Sequence, residues 1–193
     1  KARIKAIIRR TSKPAAQEEK AKTEARQEVF ADAASFQDAE NFDTKAAQAV
    51  LDAGGFTGCS IDEYAAACDA DGNLLGYVIT VTTHEGYSGD IQFTIGVQND
   101  GTLNGMSILS ISETAGLGMR AEEVLVPQFA GKKADSFVYT KSGASADNEI
   151  DAISSATITT SAVVDGVNAG LYYFQTELMQ QTGAAQEGGS VDE

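Results

Sequence analysis

Apolar positions change their period near residue 61. Before it they are sparse or fall at helical spacing; beyond it they alternate with polar ones. "IDEYAAACDADGNLLGYVITVTT" (61–83) makes two extended runs around Asp71–Gly72–Asn73, and "IQFTIGVQNDGTLNGMSILSIS" (91–112) repeats the arrangement around Asn99–Asp100–Gly101. Turn residues between alternating runs are a hairpin signal. Four strands in two meander-like hairpins predict an antiparallel sheet. "DSFVYTK" (135–141) predicts a further strand and "SGASADNEIDA" (142–152) a loop.

The flanks read as helices. In "KPAAQEEKAKTEARQEVF" (13–30) Pro14 suits a first turn and Glu18 with Lys22 makes an i,i+4 pair. That helix is polar until Val29 and Phe30, which predicts that it projects. "DTKAAQAVLDAGG" (43–55) is a second helix, capped by Asp43 and ended by Gly54–Gly55. "GMRAEEVLVPQF" (118–129) is a short one stopped near Pro127. In "TTSAVVDGVNAGLYYFQTELMQQ" (159–181), Val163, Val167, Leu171 and Phe174 form one apolar stripe, with Thr160 or Ser161 as the cap. Helix, strands and helix without βαβ alternation give an α+β fold: an antiparallel sheet packed with helices and a long C-terminal helix.

Composition sharpens the domain limits. The 193 residues suffice for one domain with a proper core. Residues 1–26 carry a net charge of +6 and residues 27–193 a net charge of −20. The expected organisation is a basic and polar segment with its helix (1–27), a domain (28–180), and a Gly-rich acidic tail without fixed structure (181–193). So acidic a body repels phosphate backbones and excludes nucleic acid as a partner. No run of 18 apolar residues is present to span a bilayer. Cys59 and Cys68 lack a CxxC spacing; they either pair in an oxidising compartment or are small buried thiols. His84, the single histidine, reads as a surface residue rather than a catalytic base.

Two segments carry candidate chemistry. "DAISSATITT" (151–160) has five hydroxyls in ten residues, just ahead of the last helix. Free amides and the positive end of the helix dipole at such a place favour a phosphate. Composition alone favours a plainer reading, a capped helix after a loop of small residues. "SETAGLG" (112–118) ends a predicted strand with Gly116 and Gly118 around Leu117. It suggests a tight loop approaching something flat, or an ordinary strand-to-helix turn.

Together with "GYSGDI" (86–91) and "GASADNEIDAISSATITTSAV" (143–163), these segments resemble the FMN-binding subunits of the RnfG and NqrC type, over roughly residues 28–178. The flavinylation motif of that family, Asp-Gly/Ala-x-Ser/Thr-Gly-Ala-Thr, falls on Asp151 to Thr157. The resemblance implies FMN attached covalently through a phosphoester to Thr157. It implies Glu113, Thr114, Gly116, Leu117 and Gly118 along the flavin ring, and Ser154, Ser155, Ala156 and Thr160 around the phosphate. Asp151 would serve recognition by a flavin transferase; the simpler alternative is an Asx-turn. Two departures stand out. Ser155 replaces the usual glycine and is strained if that site needs a positive φ, and Ala115 replaces the usual proline.

The implied function is that of an electron carrier between redox centres, in an Rnf-type ferredoxin:NAD oxidoreductase complex that pumps ions. Its implied partners are the other subunits of that membrane complex and the transferase. The implied location is the extracytoplasmic face, held by an N-terminal membrane helix; lacking that helix, this chain is expected to be a truncated or soluble form. No catalysis by the chain alone is expected. Two other readings fit the same residues: a free-standing flavinylated extracellular carrier, and a non-redox binding module in which "SSAT" is only a cap.

Overall fold

The computed structural model describes residues 15–181; the expectations for the first 14 residues, Pro14 included, and for 182–193 lie outside them. Both predicted hairpins form. β1 (Ser35–Asp38), β2 (Cys59–Cys68), β3 (Leu74–Thr83), β4 (Ile91–Gln98) and β5 (Leu103–Ser110) make one antiparallel sheet in sequence order, with α1 (Ala15–Val29) before β1 and α2 (Thr44–Ala53) between β1 and β2. β1 is an edge strand that sequence reading misses, because "SFQD" is too short and too polar to show alternation.

Alternation sorts the strands into two faces. Ile79, Val81, Phe93, Ile95 and Val97 are buried on one face, against Val163, Val167, Leu171 and Phe174 of the last helix, α5 (Thr157–Tyr173). The helix lies close: a Cβ on Gly170 would stand 2.6 Å from Ile95 Cδ1. A π-helical stretch, Phe174–Leu178, carries it onward with Phe174 and Leu178 buried.

The opposite face is hydroxyl-rich. Thr80 and Thr94 share a buried hydrogen bond of 3.0 Å. α1 does not project as its polarity predicts; its second half docks on this face. Ala25 and Val29 are buried, and Ser107 donates to Glu28 Oε2 at 2.6 Å. Lys22 pairs with Glu63 rather than with Glu18, and Arg26 bridges Asp38 and Glu63. A helix with few apolar residues is held here by charge pairs along the edge of its small contact.

The remaining elements build the end of the molecule near the start of α5. Gly118–Arg120 is a 3-10 turn, followed by α3 (Ala121–Val124) and α4 (Val126–Phe129). Pro127 opens α4 in its first turn instead of ending a helix. β6 (Val138–Thr140) pairs outside the main sheet, in parallel, with β7 (Glu149–Asp151), inside the segment expected to be loop. Buried Ile150 anchors the ribbon. Asn168 of α5 clasps it: Phe137 N donates to Asn168 Oδ1 at 2.7 Å, and Asn168 Nδ2 donates to Phe137 O at 2.9 Å. Among the described residues, no helix is long and apolar enough to cross a membrane.

Cys59 and Cys68 are free and buried, at opposite ends of β2. Nine strand steps separate them by roughly 30 Å, far beyond disulfide reach. Of the two readings left open by the sequence, the structure selects the buried thiols. Desolvation pushes the Cys59 thiol up to about 11; Thr83 opposes this through a hydrogen bond, and Glu85 and Asp165 add to it. The raised value belongs to the folded state, so its contribution to stability is intact below the unfolded value near 9 and fades as pH rises toward 11. We expect the urea midpoint to fall between pH 9 and 11 in the wild type, and to fall less in Cys59→Ala.

Candidate functional site

α5 starts three residues earlier than its hydroxyls suggest. Ala156 is the N-cap and Thr157 the first helical residue, and no side chain caps the end. Thr160 lies inside the first turn, fully buried. Its Oγ1 donates to Ala156 O at 2.9 Å and accepts from Ile153 N at 3.1 Å. Neither Thr160 nor Ser161 is the cap; the Thr160 hydroxyl instead ties the incoming loop to the helix. The first amides of α5 therefore face outward without a capping side chain, a place suited to an anion.

The loop before Thr157 folds as a turn closed by Ala156 N donating to Ile153 O at 3.1 Å. Ser155, its third residue, has φ of 64°. The strain expected at this serine is real: only it and Asn41 among the described non-glycine residues take a positive φ.

Glu113 brings two more segments to the same place. This largely buried carboxylate accepts from Thr159 Oγ1 at 2.6 Å and from Ser88 N at 3.0 Å. It therefore joins the loop at 86–90 and the loop at 112–118 to the first turn of α5. Gly118 must be glycine at this junction, because a Cβ would stand 2.6 Å from Glu113 Cβ and 2.7 Å from Thr159 Oγ1.

Two hollows result, and Thr157 lines both. The larger, about 450 Å³, is bounded by Glu113, Thr114, Leu117 and Gly118 on one side, by Ser155 to Thr159 on the other, and by Tyr87 at the rim. Its walls keep large apolar groups in solvent: Tyr87 is 68% exposed, Ile158 53% and Leu117 38%. The smaller, about 240 Å³, is lined by Ala152 to Ser155, Thr157 and Lys141.

Most of the residues singled out from sequence meet here. Glu113, Thr114, Leu117, Gly118, Ser155, Ala156 and Thr157 line the larger hollow, and Ser154 joins Ser155 and Thr157 in the smaller. Gly116 is an exposed turn residue with φ of 74° and lines neither; nor does buried Thr160. Asp151 makes no turn of its own, since its Oδ1 accepts from Ala144 N at 2.6 Å across the loop. Tyr87, Ile158, Thr159 and Lys141 were missed. Ile158 and Thr159 could have been found as the next positions of the helix; Tyr87 sits in "GYSGDI" but has no reactive group to mark it. His84 pairs with Asp90 at 3.0 Å on the surface and lines neither hollow, as a non-catalytic histidine should.

Residues 86–172 match the family model of the FMN-binding domain. The chain is 36% identical over 108 residues to the RnfG subunit of the Na(+)-translocating ferredoxin:NAD(+) oxidoreductase complex of Acetobacterium woodii, covering 55% of this chain and 52% of that protein. It is 33% identical over 129 residues to the corresponding subunit of the ion-translocating oxidoreductase complex of Methanosarcina acetivorans, covering 63% and 66%. It thus spans about half to two thirds of these relatives. Its fold is similar to that of Shewanella oneidensis NqrC, with a TM-score of 0.52 at 23% identity over 63% of this chain and 61% of that one. The corresponding subunit of the Na(+)-translocating NADH-quinone reductase of Parabacteroides distasonis gives 0.53 at 19%, over 83% and 93%.

Two substitutions test this geometry. Ser155→Val, β-branched at a positive φ, should be less stable than Ser155→Gly by about 1–2 kcal/mol in urea unfolding. Glu113→Ala leaves Thr159 Oγ1 and Ser88 N without their acceptor. It should cost about 1–3 kcal/mol and speed hydrogen exchange at the Ser88 amide.

Proposed function

From a chain whose residues 86–172 form an FMN-binding domain of the RnfG and NqrC type, we propose an electron carrier that holds FMN through a phosphoester on Thr157 Oγ1. The observation that carries this reading is the place of Thr157: first residue of an uncapped helix, on the wall shared by two hollows.

The residues present fit such a group. A volume of about 450 Å³ with apolar walls and a few fixed polar groups is ordinary for a cofactor site. Leu117, Tyr87 and Ile158 offer apolar contact to a flat ring. The open amides of α5 offset phosphate charge by about 0.3–1 kcal/mol. Glu113 holds both loops against the helix and so fixes the width of the slot. When bound, FMN supplies one- and two-electron transfer, which no side chain of this site can perform.

Maturation uses Thr157 as the acceptor of a group transfer. Its Oγ1 attacks the FMN phosphorus of FAD; the phosphorus–oxygen bond to the adenylate breaks, AMP leaves, and the hydroxyl proton passes to solvent. A separate flavin transferase supplies the metal ion that steadies the charge. The names of the relatives support a place among the other subunits of an ion-translocating oxidoreductase complex, of the ferredoxin:NAD(+) kind. We place the domain on the extracytoplasmic face of that membrane complex. A cofactor joined by a covalent bond is not lost by diffusion there.

Intact mass after co-expression with a flavin transferase tests the tether. The wild type should gain one FMN less one water and turn yellow, and Thr157→Ala should gain nothing. The same gain in Thr157→Ala would remove Thr157 from this role.

A further inference from the structure

We propose that Lys141 is the counter-ion of the phosphate at Thr157, presented by the β6–β7 ribbon. This rests on the reading of Thr157 as the point of attachment. Lys141 lies 16 residues before Thr157, yet the two line one hollow with Ser154 and Ser155. The ribbon explains how. Thr140 pairs with Asp151, and Ala152 N donates to Thr140 O at 2.8 Å, so the residue after β6 lies alongside the start of the turn that leads to Thr157.

The charge of Lys141 is uncommitted. Lys20, Lys22, Arg26, Arg120 and Lys133 each pair with a carboxylate, and Lys132 donates to Glu149 O. Of the eight described cations, only Lys45, on α2, and Lys141 have neither an ion pair nor a side-chain hydrogen bond. The nearest acids along the chain are turned elsewhere. Asp151 accepts from Ala144 N, and Glu149 Oε2 accepts from Ser145 N, Ser145 Oγ and Ala146 N at 2.8–3.1 Å. These bonds spend both carboxylates on shaping the 142–148 loop and leave the lysine open. In a body so acidic, a free ammonium beside a hydroxyl-lined hollow and an open helix end favours an anion over any other occupant.

The shared chemistry is a phosphate. It belongs either to FMN once attached or to the diphosphate of the FAD donor, and two measurements separate them. The first compares binding of riboflavin 5′-phosphate and of riboflavin to the unmodified wild type and to Lys141→Ala, Lys141→Arg, Lys141→Glu and a Lys45→Ala control. The second follows the rate of transferase-driven mass gain in the same set. Urea midpoints check that every variant folds.

Lys141→Ala should reduce the preference for the phosphorylated flavin about threefold, with riboflavin affinity unchanged. Lys141→Arg should keep the preference, Lys141→Glu should lose more of it, and Lys45→Ala should change nothing. A loss confined to the transfer rate assigns Lys141 to the FAD diphosphate. If the wild type gains FMN but Lys141→Ala matches it in both measurements, the counter-ion role is overturned and the tether stands. If the wild type neither gains mass nor prefers the phosphorylated flavin, the reading of Thr157 falls, and that of Lys141 with it.

Discussion

The carboxylate of Glu113 holds three stretches of chain at one point. It takes a proton donor from the first turn of α5 and another from the backbone of the 86–90 loop, while its own loop carries Leu117 and Gly118. None of these stretches has enough apolar surface there to pack on its own. An ionised acceptor with two donors, largely out of water, is stronger than a neutral hydrogen bond and costly to leave half-made. The slot depends on that junction, and the glycine at 118 is the steric condition for it.

The rest of the molecule serves to make α5 rigid at its start. One face of the sheet is given to this helix, with large aliphatic and aromatic residues from β3 and β4 meeting its apolar stripe. The other face is hydroxyl-rich and carries α1 through charge pairs. Packing therefore separates two tasks. The buried face fixes the site, and the polar face accepts a helix that comes from the N-terminal side.

The sequence made legible what depends on period and on local turn chemistry. The hairpins around Asp71–Gly72–Asn73 and Asn99–Asp100–Gly101 were readable, as were the Val163–Phe174 stripe and the positive φ at Ser155. What escaped depends on contacts distant in sequence. The parallel β6–β7 pair has three residues per strand, too few for alternation, and it is held by Asn168 far along the chain. The helix start escaped for another reason: five hydroxyls offered several caps, and the chain uses none. Thr160 looks like a cap because its hydroxyl bonds backbone, but it does so from within the first turn. The docking of α1 escaped because its partners, Glu63, Asp38 and Ser107, are polar and lie on strands.

The burial of α5 also has a consequence for distance. Residues 162–164 and 166–171 are all buried, so the first turn cannot swing without disturbing the core. A group esterified at Thr157 is joined to this fixed backbone through a very short side chain, with few rotatable bonds between the main chain and the phosphorus. The redox centre would then be mounted rather than leashed. Its separation from any neighbouring centre would be decided by how the domain as a whole seats against its partner, and the domain would have to move as one body to change the length of the electron's jump.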